Sequence, residues 1–221
     1  HNIRLMILNY KRKKNVYNIA KAYSKVMPVS VINNNPYDPF PYVGHPIDVI
    51  NNEKNYYCME RWVRCYDYPE EYKLIVDDDI LPHASLVKKL YEKNLPIAGI
   101  YGKTNVEKAN SYSDLIDHWC VDAKVDFLVG SVILVRQSIL DKIKSQIEKT
   151  NYPIRGDDII ISYLIKKELK LDKLETISGK VENLDEGNLG LNKHPDHFKI
   201  RWKVVEKFKN IGWQCGAIRL I

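Results

Sequence analysis

The stretch Tyr72-Lys73-Leu74-Ile75-Val76-Asp77-Asp78-Asp79-Ile80-Leu81-Pro82 passes abruptly from strand wording to three adjacent carboxylates. Residues 72–76 are of strand length and almost wholly apolar or aromatic, as expected of a strand buried on both faces. Three neighbouring carboxylates repel one another and serve no packing purpose, so the triplet belongs to an exposed or ligand-facing strand end. If the alternation of the strand continues, Asp77 and Asp79 point to one side and Asp78 to the other. Two carboxylates on one side form a hard-oxygen site suited to Mg²⁺ or Mn²⁺. The plain alternative is a solvated acidic turn in which Asp79 caps the next helix.

Working outward, residues 3–8 (IRLMIL) form a second strand-like run, closed by Asn9-Tyr10-Lys11-Arg12-Lys13-Lys14. Asn15 is placed to cap a helix to about residue 26, with Val16, Ile19, Ala20 and Tyr23 on one face. Strands are expected over 29–32, ending at Asn33, and over 47–50, with a proline-rich loop between them. A helix over 56–66 precedes the acidic strand, and a second is expected to open at Leu81-Pro82 and run to about 93. Beyond it, 97–101 and 126–136 read as strands, the latter containing Gly130. Helices over 137–149, 159–169 and 195–208 and a short strand over 174–177 follow. This order predicts an α/β fold with a mostly parallel central sheet flanked by helices, and a smaller mixed region. Ligands of such sheets bind outside the carboxyl ends of the strands, where Asn9, Asn33 and Asp77 fall.

Two further clusters carry chemistry. Arg155-Gly156-Asp157-Asp158 puts two carboxylates at a helix start, where the dipole favours them and a tight Gly turn can face them into a cleft. Either could serve as a base for a hydroxyl or steady a developing positive centre on a sugar; ordinary capping is the alternative. In His194-Pro195-Asp196-His197 and Arg201, His197 and Arg201 lie four apart on one helical face. An imidazole can complete a metal shell and an arginine can neutralise phosphate.

With 221 residues, 45% apolar and 28% charged, the chain reads as one domain over 1–221. A charge of +6, from 34 basic against 28 acidic side chains, is too balanced for a nucleic-acid binder but suits an anionic ligand. Cys58, Cys65, Cys120 and Cys215 form no CxxC pair; Cys58, Trp62 and Cys65 read as one buried helical face. The longest apolar run, 127–135, is far short of a membrane span. With no signal-like start and no Asn-x-Ser/Thr sequon, a cytoplasmic protein is expected. The phosphate loop GxxxxGK[ST], GxGxxG after the first strand, GxSxG and HExxH are all absent.

In this order and spacing the pieces resemble a GT-A-type glycosyltransferase. That family has a first strand ending in a nucleotide loop (Asn9-Tyr10-Lys11-Arg12), a DxD at a later strand end (Asp77-Asp78-Asp79), and a Gly-containing strand (Val129-Gly130-Ser131). An acidic pair (Asp157, Asp158) and a late His (His197) follow. The Lys-, Asn-, Ile- and Tyr-rich wording and small size look most like the compact glycosyltransferases of large chlorella viruses, which would place the protein in a host cytoplasm. The resemblance implies a UDP-sugar donor of glucose or rhamnose type, a glycan or glycoprotein acceptor, Mn²⁺ (or Mg²⁺) as cofactor, and retaining transfer. It places Asn9, Tyr10, Lys11, Arg12 and Asn33 in the nucleotide pocket, with Arg61, Arg155 and Arg201 around the donor. Asp77 and Asp78 would touch ribose or sugar, and Asp79 would bind the metal, with Asp77 and His197 (rather than His194) beside it. Gly130 and Ser131 would let the sugar approach the backbone, and Asp157, with Asp158, would carry catalysis.

Two rival readings use the same residues. A haloacid-dehalogenase-like phosphohydrolase also places DxD after a strand, but usually the first strand, and follows it with a Thr-type phosphate binder rather than Ile80-Leu81-Pro82. A non-catalytic binding module would keep the donor pocket without turnover.

Overall fold

The computed structural model describes residues 2–149, 155–184 and 193–211; Cys215 lies outside them. The first half comprises β1 (Ile3–Asn9), α1 (Lys13–Tyr23), β2 (Val29–Asn33), β3 (Ile47–Asn51), α2 (Glu60–Val63), β4 (Tyr72–Val76), β5 (Ile80–Pro82), α3 (Ala84–Glu92) and β6 (Ile97–Gly99). Then come β7 (Tyr101–Thr104), β8 (Ile116–Trp119), β9 (Ala123–Val125), β10 (Phe127–Leu128), β11 (Val132–Arg136), α4 (Gln137–Glu148), α5 (Asp157–Leu169), β12 (Leu174–Thr176), β13 (Val181–Asn183) and α6 (His197–Ile211).

Eight strands form the central sheet in the order β3-β2-β1-β4-β11-β6-β12-β9. β3, β2, β1 and β4 are mutually parallel, as are β6 and β12, and only β11 and β9 run against the rest. The fold is therefore α/β with a large, mostly parallel sheet, and two small antiparallel sheets (β10-β7-β8 and β13-β5) attach to it. Successive side chains of a strand face opposite ways, and both faces are apolar here. Met6, Ile75 and Ile133 join one core with Trp62, Leu140, Ile143, Ile160 and Val205. Leu5, Ile7, Leu74, Val76 and Leu134 join the other with Val16, Ile19, Leu86 and Leu90.

Several local expectations need correction. Ile80–Pro82 does not open a helix: it pairs with β13, Val181 opposite Pro82, so α3 starts two residues after Pro82. Pro is tolerated there because this is the edge of a two-stranded sheet. The stretch 126–136 is two strands rather than one, since Phe127 and Leu128 pair with β7 while Val132–Arg136 joins the central sheet. The intervening Val129-Gly130-Ser131 is a turn. The helix expected over 56–66 is only α2 and a 3₁₀ turn, Arg64–Asp67, because Tyr57 takes φ +59°. Cys58 therefore precedes the helix, while Trp62 and Cys65 are buried. The run 97–101 divides at Ile100, and α1 starts at Lys13 without a side-chain cap, ahead of Asn15.

At the amino ends of the parallel strands, Arg4 donates to Glu70 through Nε and Nη2, both at 2.9 Å, and to Ser30 Oγ at 3.1 Å. Burial would raise the Glu70 pKa, but the Arg4 donors and charge outweigh it and leave the pKa lowered. A depressed folded-state pKa stabilises the fold above the unfolded value of about 4.3 and loses that contribution as pH falls through the folded value. Glu70→Gln should therefore lower the urea midpoint at pH 7, and its gap from the parent should narrow towards pH 3. A constant gap would mean that the charge of Glu70 contributes nothing.

Candidate active site

A cleft of about 690 Å³ opens at the carboxyl ends of β1 and β4, where an open α/β sheet presents its ligands. Residues 10–12 follow β1 into it and the acidic triplet follows β4. The turn 129–131 is held against the triplet by Asp77 N–H donating to the Ser131 carbonyl at 2.9 Å. The first turn of α5 supplies Asp157 and Asp158, and α6 supplies His197, Phe198 and Arg201.

The two carboxylates of α5 have separate surroundings. Asp157 Oδ2 accepts from Arg61 Nε at 3.1 Å, Arg61 Nη2 at 3.0 Å and Trp62 Nε1 at 2.7 Å. Arg61 also bonds Asp77 through Nη1, so one guanidinium, with 4% of its side chain exposed, ties the acidic triplet to α5. Burial disfavours its charge, yet Asp157 and Asp77 hold its pKa well above the ordinary value. Asp158 Oδ2 accepts from Gly130 N at 2.7 Å and Arg201 Nη2 at 2.9 Å, and Arg201 Nε donates to Tyr112 OH at 2.8 Å. Burial opposes the Asp158 charge, but Arg201 and the Gly130 N–H outweigh it and lower its pKa. Gly156 turns the chain into α5 with φ +94°, a conformation that favours glycine.

Gly130 is a glycine for a reason the sequence did not suggest. A Cβ there would lie 2.3 Å from Arg61 Nη2, so the bare backbone makes room for the guanidinium. Gly130→Ala should push Arg61 off its two carboxylates and cost about 1–3 kcal/mol, as overpacking does. Equal urea midpoints for variant and parent would contradict this packing.

The acidic triplet is also engaged. Arg12 bonds Asp78, and its Nη1 lies 3.1 Å from Asp79 Oδ2. Even so, burial pushes the Asp77 pKa up to about 7, against the opposing charge of Arg61 and reinforced by Asp79 and Asp78. Burial likewise raises Asp78, with Arg12 opposing. His197 is pushed down to about 4 by burial and by Arg201 and Arg155, so its ring is neutral near pH 7. Its Nδ1, Ser131 Oγ and Arg155 Nε are buried without hydrogen-bond partners among the described residues, and all three residues line the cleft.

Could this site hold a dication? Among the described residues no three His, Cys, Asp or Glu side chains converge closely enough to form a ligand cluster. The donor chemistry nevertheless fits. Carboxylate oxygens of Asp77 and Asp79 and a neutral imidazole with an unpartnered nitrogen share the cleft, and these are ligands of Mn²⁺ and Mg²⁺. Asp77, Asp78, Asp79, Asp157 and Asp158 share the cleft with Lys11, Arg12, Arg61, Arg155 and Arg201.

Of the residues singled out from the sequence, Tyr10, Lys11, Arg12, Arg61, Asp77, Asp78, Asp79, Gly130, Ser131, Arg155, Asp157, Asp158, His197 and Arg201 all line this cleft. Asn9 and Asn33 do not. Asn9, Asn33 and Asn51 stand in register across β1, β2 and β3, bonded by Asn9 Nδ2 to Asn33 Oδ1 at 2.7 Å and Asn33 Nδ2 to Asn51 Oδ1 at 2.8 Å. They knit the strand ends together, and Asn34 reaches the cleft instead. His194 is exposed and outside the lining, 3.4 Å from Arg155 Nη1. Tyr57, Tyr101, Tyr112, Trp119 and Phe198 also line it. No local pattern in the sequence marked these rings.

No protein-family model matches the chain, and no curated protein matches it. Solved structures do. GalNAc-T7 with UDP, GalNAc and Mn²⁺ aligns with a TM-score of 0.55 at 9% identity, over 94% of this chain and 50% of that one. CMP:2-keto-3-deoxy-manno-octonic acid synthetase complexed with CTP aligns at 0.48 and 12% identity, over 93% and 99%. A197 from STIV aligns at 0.44 and 10%, over 84% and 95%. At such identities the first likeness establishes the fold, a GT-A-like relative of the Rossmann architecture, and the other two add no weight.

Proposed function

We propose that this chain is a glycosyltransferase that moves a hexose from a UDP-sugar of glucose or rhamnose type to a glycan or glycoprotein acceptor, with retention. The observation that carries the reading is the convergence of two acidic clusters, 77–79 and 157–158, with Arg12, Arg61, Arg155 and Arg201 in one cleft at the strand ends. The likeness in fold to GalNAc-T7 supports it. Residues 1–101 would form the donor half and 102–221 the acceptor half.

Tyr10, Lys11 and Asn34 would line the nucleotide, and Arg12 and Arg155 would take the diphosphate, where planar guanidinium groups match paired oxygens. Asp79 and Asp77, with His197, would hold Mn²⁺ or Mg²⁺, which when bound supplies charge stabilisation on the diphosphate oxygens. The C1–O bond of the hexose breaks with its electron pair passing to the β-phosphate, the acceptor oxygen bonds C1, and its proton passes to a diphosphate oxygen. Asp157 would face the positive charge developing at the sugar. One of its oxygens accepts three N–H groups, which anchors the carboxylate and suits it to act as a fixed anion in a retaining transfer. Asp158 would act as a positioning residue, fixing Gly130 and Arg201. The phosphohydrolase alternative has less support, because β1 ends in Asn9 and the carboxylates follow β4.

The test is NMR observation of UDP release from UDP-hexoses with Mg²⁺ and a saccharide panel. Release that depends on saccharide and metal is expected. Phosphate release from an aryl phosphate without UDP formation would replace this reading with the phosphohydrolase one, and binding without turnover would leave a binding module.

A further inference from the structure

Part of the wall of the cleft is aromatic, and two of its rings are left uncovered. In the small antiparallel sheet, Tyr101 of β7 stands directly opposite Trp119 of β8, and Lys103 opposite Asp117. Alternation puts these four side chains on one face. Tyr101 and Trp119 meet edge to face with centroids 5.2 Å apart, and Tyr112 stacks with Phe198 at 5.5 Å. All four rings line the cleft, yet Trp119 is 39% and Phe198 53% exposed. Large rings left in water beside a deep cleft are surfaces for a ligand. The polar groups around them are specific: Tyr101 OH and Lys103 Nζ both donate to Asp117 at 2.5 Å, and Arg155 Nε is buried without a partner among the described residues.

We propose that Trp119 and Phe198 form a stacking platform for a pyranose ring of the acceptor, so that the acceptor is a saccharide engaged through its terminal sugar. A pyranose has an apolar C–H face, which suits an aromatic ring, and a hydroxyl edge, which suits the Asp117 carboxylate and the Arg155 guanidinium. A lipid tail would gain nothing from the Asp117 carboxylate, which is exposed on the same sheet face as Trp119, and a peptide backbone offers no apolar disc edged with hydroxyls. The platform adjoins Asp158 through Tyr112 and Arg201, which places a stacked sugar beside the reacting end of the cleft. The inference rests on the transfer reading for its consequence but makes its own binding prediction.

Saturation-transfer NMR on the protein with UDP and Mg²⁺, using methyl glucosides, methyl galactosides, cellobiose and maltose as probes, tests it. At least one probe should receive saturation, strongest at ring C–H protons. Trp119→Ala and Phe198→Ala should reduce that signal by roughly fivefold or more, as loss of a stacked ring would, and Trp119→Phe should restore most of it. UDP affinity measured by calorimetry should stay unchanged in both Trp119 variants, since Trp119 is assigned no contact with nucleotide, diphosphate or metal. Absence of signal from every saccharide, or signal indifferent to both alanine variants, would overturn the platform. Failure of UDP to bind would instead count against the donor reading, while the same saccharide spectra without UDP would still judge the platform.

Discussion

Arg61→Met should lose about 3–5 kcal/mol of stability, the usual result of removing one partner from a buried ion pair. Arg61 contacts Asp157 and Asp77 at once, and the Asp157 side chain is 3% exposed. Without the guanidinium, Asp157 keeps, among the described residues, only Trp62 Nε1 as a side-chain donor, and its charge remains out of water. Arg61→Lys should recover part of the loss, because an ammonium can meet one carboxylate but not present the fork that meets both. Chemical denaturation of the three proteins checks this, and a loss below about 1 kcal/mol for Met, the range of an exposed pair, would mean that Arg61 is not the link described.

Asp157→Asn tests the chemistry, and because it is isosteric and leaves Arg61 its bond to Asp77 it should cost less stability than Arg61→Met, although it too takes a charge from the buried pair. The amide keeps the shape of the carboxylate and an oxygen for Trp62, but removes the negative charge proposed to face the reacting carbon. UDP affinity should be unchanged, and transfer should fall by about 10²–10³-fold, the scale seen when one preorganised electrostatic group is removed. Calorimetry of UDP binding beside single-turnover transfer separates the two effects. A variant with undiminished transfer would remove Asp157 from catalysis; one that loses UDP binding as well would mark it as part of the donor pocket or of the local fold.

These two variants also show what was legible in the sequence. The α/β plan was readable because β1, β2, β4, β6 and β11 are short, largely apolar runs, and both acidic clusters were readable because their members are adjacent. The Arg61–Asp157 link spans 96 positions, and no local pattern announces it. The same holds for Gly130, whose missing side chain serves a residue on α2. β5, β8, β9 and β13 are three or four residues long and exist through pairing with distant partners, so neither periodicity nor propensity reveals them. Asn33 and Asn34 show the finest limit. Both are buried, but one residue of register sends the first into the asparagine ladder and the second to the cleft. The cleft-lining aromatic residues were likewise hidden, since Trp119 becomes part of a wall only once β8 pairs with β7.

Among the described residues no helix is long and apolar enough to cross a membrane, in keeping with the short apolar runs of the sequence. Three buried polar atoms of the cleft, His197 Nδ1, Ser131 Oγ and Arg155 Nε, have no hydrogen-bond partner among the described residues, and the proposed reading expects an anion and a cation there. That expectation leads to a single decisive experiment. A crystal soaked in Mn²⁺ and UDP, with diffraction collected at the manganese edge, should show an anomalous peak against Asp79 and Asp77 and the diphosphate beside Arg12. A nucleotide bound elsewhere on the protein, or a diphosphate in the cleft with no ion against those carboxylates, would contradict the account.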